Sequence, residues 1–268
     1  MKLSALLEKQ FILPSIPKVV ALLLVELDQP EVSLHKINQL ISTDPALTTR
    51  LLQLANSDFY KLTGRITSVS EALALLNLAE VRNMAQAAAA SASMKAVPGI
   101  NLQHFWDYSL NVARVSRALA GVVKQNQQAA FTCGLIHCIG ELAMHLAMPE
   151  EIARLNEEVA PLDLKRARLE RREFGFCYAL VGAGYARQWQ FPQPMIDALE
   201  HQYEPFENNV YEPLAGVIHL ATWRARCKEA GLSEKGMAVS YPDSVGVALG
   251  LDIDMALQQD PFDWAAHT

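Results

Sequence analysis

Ser33-Leu34-His35-Lys36-Ile37-Asn38-Gln39-Leu40-Ile41-Ser42-Thr43-Asp44-Pro45-Ala46-Leu47-Thr48-Thr49-Arg50-Leu51-Leu52-Gln53-Leu54-Ala55 contains two helices with their start signals in place. Ser33 precedes Leu34, Ile37, Leu40 and Ile41, the spacing of one helix face, and a serine there can accept a hydrogen bond from a free backbone N–H of the first turn. Asp44-Pro45 repeats the signal, an N-cap followed by proline at the first helical position, and leads into the stripe Leu47, Leu51, Leu54 and Ala55. Downstream, Ser68 with Glu71 three residues on forms a capping box ahead of residues 72–76, and 80–94 is a strongly helix-forming stretch rich in alanine. Pro98-Gly99 then interrupts the chain, so a subdomain boundary is predicted there, between 1–97 and 98–268. Beyond it, helices are predicted over 102–124, 127–147, 150–159, 163–174, 178–189, 194–203, 212–230 and 243–249, with Gly175, Pro192 and Pro205 as stops. No sustained two-residue alternation marks a strand. The fold class is read as all-α, a multi-helix bundle.

Composition narrows the function. The 268 residues are 51% hydrophobic, ample for a core, and the formal charge of −6 with a pI near 5.7 gives no basic footprint for nucleic acid. Apolar runs such as 19–25 fall far short of the ~20 residues a spanning helix needs, and no export signal opens the chain. A cytoplasmic protein with no membrane or nucleic-acid partner is expected. Cys133, Cys138, Cys177 and Cys227 are dispersed with no CxxC pair, so they read as reduced thiols. In 165–173, KRARLERRE, the glutamates interleaved with the basic residues favour a solvated helix face over a phosphate-binding stripe. Gly-rich phosphate loops, G-x-S-x-G elbows and H-E-x-x-H zinc helices are absent.

The remaining motifs are specific. Leu13-Pro14-Ser15-Ile16-Pro17, Ile41 to Thr48, Arg50 to Ser57, Val81-Arg82-Asn83, Phe105-Trp106 with Ser109-Leu110, Gly134-Leu135-Ile136-His137, Phe174-Gly175-Phe176, Val181-Gly182-Ala183, Trp189 with Pro192, and His201 with Glu204-Pro205 resemble the signature segments of the HDOD family. That family is the HD-related output domain of bacterial signalling proteins. The resemblance spans roughly 6–251 and implies an amino-terminal helical subdomain packed on an HD-like helical bundle, with a regulatory role.

An HD phosphohydrolase gathers histidines and aspartates around metal ions that activate water for attack on phosphorus. Compared with that pattern, this chain has Tyr108 where a first histidine tends to stand, and His137-Cys138 for the His-Asp pair. Cys177-Tyr178 follows Phe176 where a further histidine is often found, His201-Gln202 replaces paired histidines, and Thr222 replaces a late aspartate. Only His137 and His201 remain, and two imidazoles alone hold a hard divalent cation poorly. The resemblance therefore implies a pocket of Tyr108, His137, Cys138, Tyr178, His201, Gln202 and Thr222 with no catalytic residue, metal or cofactor. His104, Glu141 and His219 lie about one turn from lost ligands, and Cys138, His137, His201 and His219 could supply a sulfur-and-nitrogen set of the kind zinc accepts. Without tight ligand spacing they are read as hydrogen-bonded histidines and a buried thiol. The expected function is a non-catalytic signalling module acting through protein partners, with the pocket open to a small-molecule ligand. The alternative is a divergent metal-dependent phosphohydrolase acting on a nucleotide or cyclic dinucleotide.

Overall fold

A computed structural model describes residues 1–60, 65–91, 96–206 and 211–258. The amino-terminal part carries α1 (Leu3–Leu7), α2 (Pro17–Leu27), α3 (Leu34–Ile41), α4 (Pro45–Ala55), a 3-10 turn at Asp58–Tyr60, α5 (Val69–Leu75) and α6 (Leu78–Ser91). After the link come α7 (Leu102–Val122), α8 (Gln127–Ile136), α9 (Ile139–Ala147), α10 (Pro149–Glu158), α11 (Arg166–Phe174) and α12 (Tyr178–Gln188). The chain continues as α13 (Gln193–His201), α14 (Pro213–Glu229), α15 (Glu234–Ser240), α16 (Asp243–Leu249) and α17 (Ile253–Gln258). Among the described residues there is no strand, only an isolated bridge between Val97 and Ile100 around Gly99, whose φ is +77°. The protein is all-α.

The helices begin where the caps are. Ser33 Oγ accepts from Lys36 N, and Asp44 Oδ1 accepts from Ala46 N at 2.8 Å and Leu47 N at 2.9 Å. Ser68 Oγ accepts from Glu71 N, but the Glu71 carboxylate returns to Thr67 N at 2.7 Å, one residue ahead of the reciprocal bond in a standard capping box. The predicted end of the alanine-rich helix at 94 lies outside the described residues. Three expectations need correction. The single helix predicted over 127–147 is two, α8 and α9, broken at His137-Cys138. In the α4 stripe Leu47 and Leu51 are fully buried, whereas Leu54 is half-exposed and Leu52 takes the inner place, because α4 is covered by α5 and α6 on one side and by α8 on another. The basic run at 165–173 is not all a solvated face. Arg166 is wholly buried, paired with Glu141 at 3.0 Å and Glu170 at 2.9 Å, while Arg172 stays on the surface.

One continuous core runs through both parts of the chain, from Leu23, Leu47 and Leu51 to Val112, Ala130 and Leu199. A second cluster ties the amino terminus to the carboxy-terminal bundle, with Leu6 of α1 fully buried among Met144, Val181 and Tyr185. Tyr185 Oη donates to Leu6 O at 2.7 Å and Arg50 Nη2 to Leu13 O at 2.8 Å, so the segment between α1 and α2 is strapped across the junction. Gln127–Ala147 is the one stretch among the described residues long and apolar enough to cross a membrane, and 89% of its window is buried inside the fold.

Candidate functional site

Two glycines fix the break that forms the floor of the site. A Cβ on Gly134 would lie 2.7 Å from Ser116 Oγ and 2.8 Å from Ala113 Cα, and one on Gly140 would lie 2.0 Å from Tyr178 O and 2.7 Å from Gly182 N. Thus α8 is pressed onto α7 and α9 onto α12. Between these contacts the backbone leaves the helical path at Cys138 (φ −111°, ψ 18°). His137 Nδ1 donates to Gly134 O at 2.7 Å, the Cys138 thiol lies 3.4 Å from Ser109 Oγ, and Gln202 Nε2 donates to His137 O at 2.9 Å.

Above this floor is a cavity of about 250 Å³. Tyr108 from α7, His137 and Cys138 from the break, Tyr178 from the start of α12, Gln202 just past α13 and Thr222 from α14 all line it. His201 does not. The next residue, Gln202, turns inward to bond the carbonyls of His137 and Leu199, and one residue of helical rotation, about 100°, leaves His201 directed to the Glu212 side. His219 supplies the second imidazole instead. With Thr222, Trp223 and Arg226 it forms one face of α14. From the sequence Trp223 reads as an aromatic of either a pocket or the core, and Arg226 carries no mark of a pocket residue. The spacing from His219 to Arg226 is their common trace in the sequence, and an apolar core face has the same spacing. The rim comes from the segment between α10 and α11, Tyr203, Ser240 and Pro242.

At neutral pH the lining side chains nearest the break are uncharged. Burial pushes the His137 imidazole down to about 4 and the Cys138 thiol up to about 12. Burial also raises the phenols of Tyr108 and Tyr178 and lowers His219. The charged groups here are Arg226 and the Glu141 carboxylate, whose Oε2 is buried without a hydrogen-bond partner. The Arg226 guanidinium carbon lies 4.5 Å from the centroid of the Tyr108 ring, and it pairs at 3.6 Å with Glu229, which also bonds His104 at 2.8 Å. Tyr108 Oη and Gln202 Oε1 are buried without a hydrogen-bond partner.

Glu141 joins the cavity wall to a buried ionic cluster. Burial opposes its charge, but the hydrogen bond from His145 and the charge of Arg166 leave its carboxyl below the ordinary value, while burial and the neighbouring Glu141 push Glu170 well above. His145 bonds Glu141 at 3.2 Å and Pro98 O at 2.7 Å, so the cluster reaches the link between the two parts of the chain.

These side chains do not fit a metal ion of the HD kind. Among the described residues no three of His, Cys, Asp and Glu are disposed around a common metal position. The sulfur-and-nitrogen set is not assembled, since His201 lies outside the cavity that Cys138, His137 and His219 line.

The HDOD domain model matches residues 13–205. An uncharacterized protein of Treponema pallidum (strain Nichols) is 27% identical over 217 residues, 80% of this chain and 42% of that one, so the chain spans less than half the length of this curated relative. Among solved structures, the MmoQ response regulator of Methylococcus capsulatus str. Bath superposes with a TM-score of 0.73 at 25% identity, covering 93% of this chain and 98% of that one. A candidate phosphohydrolase of Shewanella amazonensis SB2B gives 0.55 at 25% identity, covering 96% and 92%. An HDOD domain protein of unknown function from Geobacter sulfurreducens shares the fold, with 0.51 at 23% identity over 95% and 90%.

Proposed function

Because the chain belongs to the HDOD family, matching its model over residues 13–205, we propose that it is a non-catalytic regulatory module of bacterial signal transduction. It works in the cytoplasm through protein partners, and its cavity takes a small ligand. The observation that carries this reading is the charge state of the cavity. A metal-dependent phosphohydrolase needs anionic oxygen and imidazole ligands to hold the cation that activates water. Here Tyr108, Cys138 and Tyr178 are protonated, Thr222 is neutral, and Arg226 brings a positive charge against the Tyr108 ring. A cation would find one carboxylate, Glu141, beside neutral side chains and a guanidinium, and among the described residues no set of three metal-ligating side chains to hold it. The likeness to a response regulator of similar length agrees with a signalling role.

The second reading, a divergent phosphohydrolase of nucleotides or cyclic dinucleotides, draws on the likeness to the Shewanella candidate phosphohydrolase. Hydrolysis of bis(p-nitrophenyl) phosphate and of a cyclic dinucleotide, assayed with added Mn²⁺, separates the two. The regulatory reading expects the buffer rate from the natural chain and also from Cys138→Asp, which restores one ligand of several. Turnover by the natural chain that disappears in His137→Ala would favour the hydrolase.

A further inference from the structure

The cavity's hydrogen-bonding pattern is selective. His137 Nδ1 lies 2.7 Å from Gly134 O and His219 Nδ1 lies 2.9 Å from Gln202 O. Both partners are carbonyls, which only accept, so Nδ1 carries the hydrogen in each ring and Nε2 is left as an acceptor. Gln202 Nε2 is spent on two backbone carbonyls, and Gln202 Oε1, a further acceptor, has no partner. One part of the lining therefore calls for N–H or O–H donors from a ligand. Arg226, on α14 beside the Tyr108 ring, calls for an acceptor, and Tyr108 Oη is also without a partner.

Size and walls restrict the ligand further. A volume of about 250 Å³ exceeds the roughly 150 Å³ of an apolar cavity that encloses benzene. Tyr108, Tyr178, Tyr203 and Trp223 give the cavity aromatic walls. A carboxylate or phosphate would set its charge against the imidazole lone pairs, with Arg226, already shared with Glu229, as its cation. A hydrocarbon ring would leave the same polar groups unpaired. From this geometry we infer that the cavity binds an uncharged planar heterocycle with a lactam-type edge, an N–H beside a C=O, the N–H directed to the imidazole acceptors and the C=O to Arg226. This inference rests on the ligand-binding part of the function proposed above.

Calorimetric titration of the full chain with hypoxanthine, indole and benzoate tests it, because hypoxanthine offers both donor and acceptor, indole only the donor and benzoate only acceptors. The expected result is saturable one-to-one binding of hypoxanthine, at least about tenfold tighter than either control, since an unpaired or charge-assisted hydrogen bond is worth that much. Arg226→Gln should weaken hypoxanthine binding at least about tenfold, and Thr222→Trp, which fills the cavity from α14, should abolish it, with circular dichroism confirming that both variants keep their helicity. Equal or tighter binding of indole or benzoate overturns the inference, as does the absence of hypoxanthine binding by the folded natural chain. A fragment screen by NMR then separates the two levels. Another ring compound displaced by Thr222→Trp would leave the ligand-binding reading standing, and a screen with no cavity ligand at all would remove both.

Discussion

Asp44 shows how much one residue contributes when it serves two elements. Its Oδ1 caps α4 through Ala46 N and Leu47 N, and its Oδ2 accepts from Ile16 N at 2.6 Å, holding the segment ahead of α2 against the start of α4. Burial raises its carboxyl from 3.8 to about 6, against the pull of those backbone N–H groups and of Arg50. A carboxyl raised by folding stabilises the fold in its protonated form. That contribution is complete below 3.8 and lost as pH rises through about 6, and it amounts to on the order of 3 kcal/mol. Urea unfolding of the natural chain and of Asp44→Asn at pH 4 and pH 7 checks this. The natural chain should lose stability relative to the variant on going to pH 7, and a pH-independent difference would show that folding leaves the Asp44 carboxyl at its ordinary value. Asn56 is a second such residue, with its amide bonded to the carbonyls of Leu52 and Ile66 and its oxygen accepting from Ile66 N at 3.1 Å. The cap of Asp44 leaves a local sign in the sequence, because its partners Ala46 and Leu47 are near in the chain. The partial burial of Arg226 and the full burial of Arg166 leave no such sign. Their roles arise from contacts with Tyr108 and Glu141, which only tertiary packing brings within reach.

At the scale of elements, apolar periodicity located most helices, since a buried stripe at 3.6-residue spacing needs no knowledge of its neighbour. Leu51, fully buried on α4, belongs to such a stripe, and Leu51→Ala should cost roughly 2 to 5 kcal/mol, read as a shift in the denaturant midpoint. Periodicity missed the division between α8 and α9 because 127–147 is apolar on every side, and a stretch buried all round carries no directional signal. The division depends instead on Gly134 and Gly140. A methyl group on Gly140 would collide with backbone atoms of α12, Tyr178 O and Gly182 N, which a side-chain adjustment cannot relieve. Gly140→Ala should therefore lose about 3 kcal/mol or more, beyond the range in which a well-packed core absorbs an extra methyl. Thermal unfolding unchanged by this substitution would contradict the α9–α12 contact. The short helices α1, α15 and α17 escaped the sequence reading because five to seven residues give a weak helical period.

For the whole molecule, the all-α fold was legible in the capping and spacing signals, but the use of the amino terminus was not. Leu6 lies in the carboxy-terminal bundle, and its partners Met144, Val181 and Tyr185 are far away in sequence. Deleting residues 1–12 should uncover that cluster and lower stability by roughly 2 to 5 kcal/mol, the cost of emptying a leucine-sized site, with far-UV circular dichroism retained. Across the molecule the helices pack as the HDOD fold requires, around a cavity in which some polar groups bond the protein's own backbone and others, Tyr108 Oη and Gln202 Oε1 among them, have no partner. On the function we propose, this cavity keeps the position of a metal-hydrolase site without the donor set to hold a metal. Elemental analysis of the full chain after dialysis against Mn²⁺, Fe²⁺ or Zn²⁺ measures that directly. The account predicts far less than one metal ion per chain, the same in His137→Ala as in the natural protein; one or two ions per chain, lost on that substitution, would contradict it.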